Sequence, residues 1–135
     1  MQLHLGRLFD HVHLRVADLA VSERFYRAVI GAVNPDIPFH NNPNSFSADE
    51  LYVSPADGVV SHVHIAFQAA DQETVQRFYD AGLAAGGRDN GAPGPRSYHP
   101  GYYGAFLLDP DGHNVEAVYH GPHDRSVPSI VITAP

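Results

Sequence analysis

The chain has 135 residues, 44% of them hydrophobic, with no cysteine, eight basic residues that are all arginine, and a formal charge of −7. That length suits a single domain, 1–135, that folds without staples, and the missing cysteine excludes disulfides and thiolate-bound metal. The charge balance and the lack of a basic, aromatic-rich patch speak against nucleic acid, and no apolar run is long enough for a signal peptide or a membrane span, so a cytoplasmic protein is expected.

The first predicted element is the strand HVHLRV, His11 to Val16. Asp18 follows as a helix N-cap, able to accept from the free N–H groups of the first turn. The helix after it carries Phe25, Tyr26, Val29 and Ile30 as an apolar stripe. SFSADELYVS, bounded by NNPN and PADG, reads as shorter extended pieces.

The tripeptide HVH then recurs as His62-Val63-His64. Laying one HVH on the other, an offset of 51, puts Phe25-Tyr26 against Gln76-Arg77. An offset of 53 pairs His11 with His64, Asp18 with Asp71, Arg24 with Arg77, Phe25 with Phe78, Tyr26 with Tyr79 and Ala28 with Ala81. The shared pattern is H-x6-D-x5-R-F-Y-x-A, and a gapless repeat of this kind means two copies of one supersecondary unit. His13 and His62 are therefore not counterparts. Each shares a strand side with a member of the true pair, and each reads as cavity wall, ligand support or surface.

The second copy repeats the plan: strand HIAFQA, cap Asp71, and a helix carrying Val75, Phe78, Tyr79 and Leu83 that stops at Gly86-Gly87. GGRDNGAPGPRSYHPG reads as a loop-rich insert. YYGAFLLDPDGHNVEAVYH reads as a hairpin turning at DPDG. SIVITAP is open to three readings: an extra edge strand, an exchanged arm or a loosely ordered tail. The organisation is β-α-β-β-β twice, with module 1 at about 8–56, module 2 at about 61–120 and an extension over 121–135.

Equivalent strands in paired modules put His11 and His64 in symmetry-related places. Glu116 is the one carboxylate in the apolar run VEAVY, and a carboxylate there asks for a partner or a metal. Two imidazoles and a carboxylate leave open positions on a divalent ion, the donor set of Fe, Mn, Ni, Co or Zn catalytic sites. DPDG lacks the spacing of a calcium loop and reads as a turn. His120 and His123 in YHGPH read as a polar loop after the last strand, and GGRDNGAPG has no phosphate-cradle spacing. Arg96, Tyr98, His99, Tyr102 and Tyr103 make an aromatic, cationic loop that either covers the site and grips an acidic or aromatic substrate or packs as surface structure, with Tyr103 the expected wall residue.

The opening HVHLRVADLAVSERFYRAVIGA, and the second half from HIAF through AAGG to AFLLDPDGHNVEAV, resemble the vicinal oxygen chelate superfamily over about residues 9–120. That superfamily includes glyoxalase I, fosfomycin resistance proteins, extradiol dioxygenases and bleomycin-binding proteins. The resemblance implies an α+β fold of two paired β-α-β-β-β modules forming a cupped mixed sheet, the glyoxalase/bleomycin resistance/dioxygenase fold. It implies one divalent metal held by His11, His64 and Glu116. Glu50, in DELYV, is the nearest match for a fourth ligand, or else a solvated strand residue. Glu116, or Glu50 if it reaches the metal, is the implied proton carrier, and His13 lines the cavity. The implied function is a glyoxalase-like isomerase or lyase acting on a small oxygenated substrate. The alternatives are an extradiol ring-cleaving dioxygenase and a dimeric, non-enzymatic binding protein that sequesters an antibiotic or metabolite. A small-molecule ligand and a homodimer are the implied partners, with no nucleic acid and no membrane.

Overall fold

The computed structural model describes residues 2–5, 8–123 and 130–133. In chain order the elements are β1 (Gln2–Leu5), β2 (Val12–Val16), α1 (Leu19–Val33), β3 (Phe39–Asn42), β4 (Ser45–Ala48), β5 (Leu51–Pro55), β6 (His64–Gln68), α2 (Gln72–Ala84), β7 (Arg88–Pro95), β8 (Tyr103–Leu108), β9 (Asn114–Tyr119) and β10 (Ile130–Thr133). The repeat is real in three dimensions. One sheet runs β2-β5-β4-β3 and the other β6-β9-β8-β7, and in each the first strand lies parallel to the last.

Both helices start as the capping residues dictate. Asp18 accepts from the Val21 amide at 3.1 Å and Asp71 from the Thr74 amide at 2.7 Å. The buried faces are Ser22, Phe25, Tyr26, Val29 and Ile30 on α1, and Thr74, Val75, Phe78, Tyr79 and Gly82 on α2. The helices pack on each other, and one apolar cluster spans both modules. Gly82 allows the close approach: a Cβ there would sit 2.2 Å from Leu107 Cδ1 and 3.0 Å from Val29 Cγ1.

Three sequence expectations are corrected. Arg88–Pro95, expected as a loop insert, is the edge strand β7, paired with β8 from Arg88↔Leu108 to Pro95↔Tyr103 with two register shifts. An edge strand tolerates Pro, and bulges absorb its glycines. His11 precedes β2 instead of opening it, and His62 lies outside β6, exposed in the segment leading to His64. The tail, open to three readings, contributes the strand β10, which pairs antiparallel with β1, outside both large sheets.

The DPDG turn does more than reverse the chain. Asp109 is buried and accepts from the Tyr26 hydroxyl at 2.6 Å, the His113 ring at 2.7 Å and the amides of Asp111 and His113. Asp111 accepts from the Ala17 amide and the Ser22 hydroxyl. Both carboxylates therefore tie module 2 to module 1. Burial alone would raise the Asp109 pKa, but the hydrogen bonds from His113 and Tyr26 outweigh it and the net shift is downward. The Asp109 contact raises the His113 pKa against the opposing effect of burial.

Tyr26→Phe is expected to lower the unfolding free energy by about 1.5–3 kcal/mol, the worth of a hydrogen bond to a charged group, as measured by urea unfolding. The depressed Asp109 adds stability above its unfolded value of about 3.9, which is lost as pH falls through the folded value. The raised His113 adds stability below about 6.5, which is lost as pH rises through its folded value. The Tm gap between wild type and Asp109→Asn should therefore be widest between about pH 4 and 6.5 and shrink on either side. A gap that stays flat from acid to alkaline pH would remove the charged pair from the account.

Candidate active site

On β9, Val115 and Ala117 point into the common core with Ala105 and Leu107 of β8. Glu116, Val118 and Phe106 belong to the opposite face. That parity, period two along a strand, puts a carboxylate on the open side of the second sheet. Glu116 is nevertheless only 2% exposed, because neighbours close over it. The Tyr102 hydroxyl donates to its Oε1, and His64 Nε2 lies 2.9 Å from its Oε2. Both oxygens are thus committed, as a buried carboxylate requires. Burial, then the hydrogen bond and charge of Glu116, push the Tyr102 hydroxyl far above its ordinary pKa, while Arg96 opposes them. Tyr102 stays protonated and donating at neutral pH.

Of the expected ligands, the structure brings together His64 and Glu116. His11 is exposed, with Nδ1 2.7 Å from its neighbour Asp10. Among the described residues the one group of three or more His, Cys, Asp or Glu donors within 4.8 Å of one another is Asp109, Asp111 and His113, so His11 is not beside His64 and Glu116 within a chain. The two large sheets share no hydrogen-bonded strand pair.

Glu50 lies in the turn before β5, half-buried, with its carbonyl accepting from the Val12 amide. The strand register gives module 1 its own counterpart of Glu116. Ala66 lies opposite Glu116, its repeat-mate His13 lies opposite Tyr52, and so Tyr52 occupies the equivalent place. The His13 and Tyr52 rings meet edge-on at 4.7 Å, and His13 Nε2 is 2.7 Å from the Ser54 hydroxyl. Burial, followed by the charges of Arg15 and His11, lowers the His13 pKa.

The aromatic loop divides. Tyr103 packs against the core cluster, and Tyr98 is exposed with its ring edge-on to Tyr102 at 4.9 Å. Tyr102 is the one that reaches Glu116. Arg96 folds back so that its guanidinium donates to the carbonyls of Ala92, Gly94 and Pro95 and lies 5.4 Å from the Phe106 ring centroid. A cavity of about 360 Å³ is lined by Arg96, His99, Tyr102, Tyr103 and Gln72 among others; neither His64 nor Glu116 lines it, and Tyr102 both lines it and donates to the acid. Sequence reasoning missed Tyr52 and did not separate Tyr102 from its neighbours. The only sequence signal for Tyr102 is its parity with Gly104 and Phe106.

Residues 8–117 match the sequence profile of the Glyoxalase/Bleomycin resistance protein/Dioxygenase superfamily. The chain belongs to that superfamily. A glyoxalase/bleomycin resistance protein from Albidiferax ferrireducens is 30% identical, with a TM-score of 0.70 over 83% of this chain and 98% of its own. A glyoxalase-related enzyme from Fulvimarina pelagi is 20% identical, with a TM-score of 0.70 over 97% and 100%. The lactoylglutathione lyase of Agrobacterium tumefaciens is 20% identical, with a TM-score of 0.61 over 84% and 92%. The last two share the fold. No curated protein matches the chain. Among the described residues no helix is long and apolar enough to cross a membrane, which leaves strand-built barrels unaddressed.

The Tyr102–Glu116 contact has a measurable energy. Tyr102→Phe should cost about 1–3 kcal/mol of stability by leaving Oε1 unpaired. Combined with Glu116→Gln in a double-mutant cycle, it should show a coupling of about 0.5–3 kcal/mol. Costs that add to within about 0.5 kcal/mol would dissolve the pair.

Proposed function

We propose that this superfamily member is a glyoxalase-like metalloenzyme that moves a proton between adjacent carbons of a small oxygenated substrate. The observation that carries the reading is the Glu116 carboxylate, buried on the open face of its sheet between His64 and Tyr102. His64, Glu116 and His11 are the proposed ligands of one divalent ion, Fe, Mn, Ni, Co or Zn. Two nitrogens and one carboxylate suit these ions and leave positions for substrate oxygens. The ion would act as a Lewis acid toward neighbouring oxygens.

The chain's own groups do the rest. Glu116 takes the proton from one carbon and returns it to the next, as a positioned carboxylate can. Tyr102 holds Oε1 so that the carboxylate keeps one orientation. Arg96, held by backbone carbonyls and lying over the Phe106 ring, and His99 are proposed contacts for an acidic substrate. His13, Tyr98 and Tyr103 are the further proposed contacts. Glu50, one turn away from the strand, is the weakest of the proposed ligands because Tyr52 fills the place equivalent to Glu116.

Since His11 does not meet His64 and Glu116 within a chain, the proposed site takes His11 from one protomer and His64 with Glu116 from its partner. The working unit is then a homodimer. The same separation favours a second reading, a binding protein without metal, in which the open faces hold a small molecule and no proton moves.

Elemental analysis after reconstitution decides between them: His11→Ala and His64→Ala should abolish binding, while His13→Ala and His62→Ala weaken it about tenfold at most. No bound metal in the wild type would leave the binding-protein reading. Refolding His11→Ala and His64→Ala chains together should restore about a quarter of the sites, because half the dimers are mixed and each mixed dimer has one intact site. No recovery would place all ligands on one chain. With metal bound, the methylglyoxal–glutathione hemithioacetal and a catechol panel separate isomerase from ring-cleaving chemistry.

A further inference from the structure

The histidines at the end of β9 are left over by the proposed chemistry. His120 does not pair with His123. It pairs with His99, from the loop before β8: His99 Nε2 and His120 Nδ1 are 2.8 Å apart. We propose that His99 and His120 form a second metal site at the rim of the second sheet, suited to a tetragonal ion such as Ni(II) or Cu(II). It stands independently of the chemistry at Glu116.

The pair is built. Gly101 and Gly121, with φ of +88° and +92°, lie against each other, and a Cβ on Gly101 would come 3.1 Å from the His120 carbonyl oxygen. Glycine at both positions lets the two turns close and brings the imidazoles together. His99 Nδ1 lies 2.8 Å from the Pro100 carbonyl oxygen and must donate to it. Its Nε2 is therefore left with a lone pair aimed at His120, and a ring anchored in this way is how metal-ligating histidines are held. The Tyr102 ring stands nearly perpendicular to both imidazoles, at 5.3 and 5.4 Å. Both histidines are exposed, so water can complete the coordination, and the net charge of −7 favours cations.

The 2.8 Å spacing is that of a hydrogen bond, so an ion would replace the shared proton, with both lone pairs turned toward it. Imidazole nitrogens suit Cu(II) and Ni(II), which stand high in divalent affinity. His120 lies four residues beyond Glu116, past the end of β9; the Tyr102 ring contacts both imidazoles while its hydroxyl reaches Glu116. The Asp109, Asp111 and His113 group is a poorer candidate, because its carboxylates are already committed to Tyr26, Ser22, the His113 ring and backbone amides.

Calorimetric titration of the full chain with Ni(II) alone tests the site, alongside elemental analysis after desalting. Four proteins are compared: wild type, His64→Ala, the His99→Ala/His120→Ala double variant, and Gly101→Ala. The double variant should lose one equivalent of Ni(II), and His64→Ala should keep that equivalent. Gly101→Ala, which forces the turns apart with both imidazoles intact, should weaken it at least tenfold. With Cu(II) as the probe, His64→Ala protein should give a tetragonal electron paramagnetic signal with nitrogen splitting that the added His99→Ala/His120→Ala changes remove. If the double variant keeps the wild-type stoichiometry and affinity, or His64→Ala alone removes all Ni(II), the pair is an N–H···N hydrogen bond and nothing more. Failure at Glu116 looks different: His64→Ala then leaves every bound equivalent in place while the double variant loses one.

Discussion

The Asp109 carboxylate is the contact on which the rest of the structure hangs. It collects the Tyr26 hydroxyl from the first module and the His113 ring and two amides from its own turn. With Asp111 reaching Ala17 and Ser22, it fixes the β8–β9 hairpin against α1. An ionised group so deeply buried is tolerable only because every oxygen is occupied. Glu116 lies three residues beyond His113. Once the turn is locked, strand parity leaves that side chain one direction, out of the core and under Tyr102. The polar knot at one end of the hairpin thus aims the acid in its middle.

Much of this was legible in the residues. The 53-residue offset, the two aspartate caps, the helix stripes and the DPDG hairpin are local signals, and each is where the sequence puts it except Leu83, which is exposed while Gly82 takes the buried place on α2. What was not legible depends on pairing. RDNGAPGP has the composition of a loop and becomes a strand only because β8 offers it an edge. Glu50 looks like the mate of Glu116 by residue type. The register that makes Tyr52 the mate appears only when β2 lies beside β5. β10 answered one open reading of the tail, but its partner β1 carries no signal that distinguishes it from any short apolar segment. Tyr102 and His120 find Glu116 and His99 through contacts that no spacing rule encodes.

The two modules have diverged on their open faces. Across the first sheet run the rows His40, Ser47, Tyr52, His13 and Asn42, Ser45, Ser54, Arg15, all able to hydrogen-bond and none carrying a carboxylate. Across the second run Ala66, Glu116, Phe106 and Gly91, one acid and one aromatic ring between two small residues. One face offers neutral and cationic donors to a ligand's oxygens. The other offers the group able to take a proton. Within a chain these faces lie on separate sheets joined through a shared helical core, so neither is a complete pocket.

That division explains why the repeated HVH misleads. His11 and His64 hold equivalent places in the repeat, yet His64 finds its carboxylate within its own sheet while His11 hydrogen-bonds the neighbouring Asp10. In the second module the residue diagonal to the histidine is Glu116, and in the first it is Tyr52, a phenol in place of a carboxylate. In the proposed site the donor set is therefore asymmetric, with one imidazole from module 1 and an imidazole–carboxylate pair from module 2. Tyr52, His13 and Ser54 stand in module 1 as hydrogen-bonding groups where a fourth ligand would be. With Tyr52 in place of a second carboxylate, the proposed centre has three protein ligands and not four.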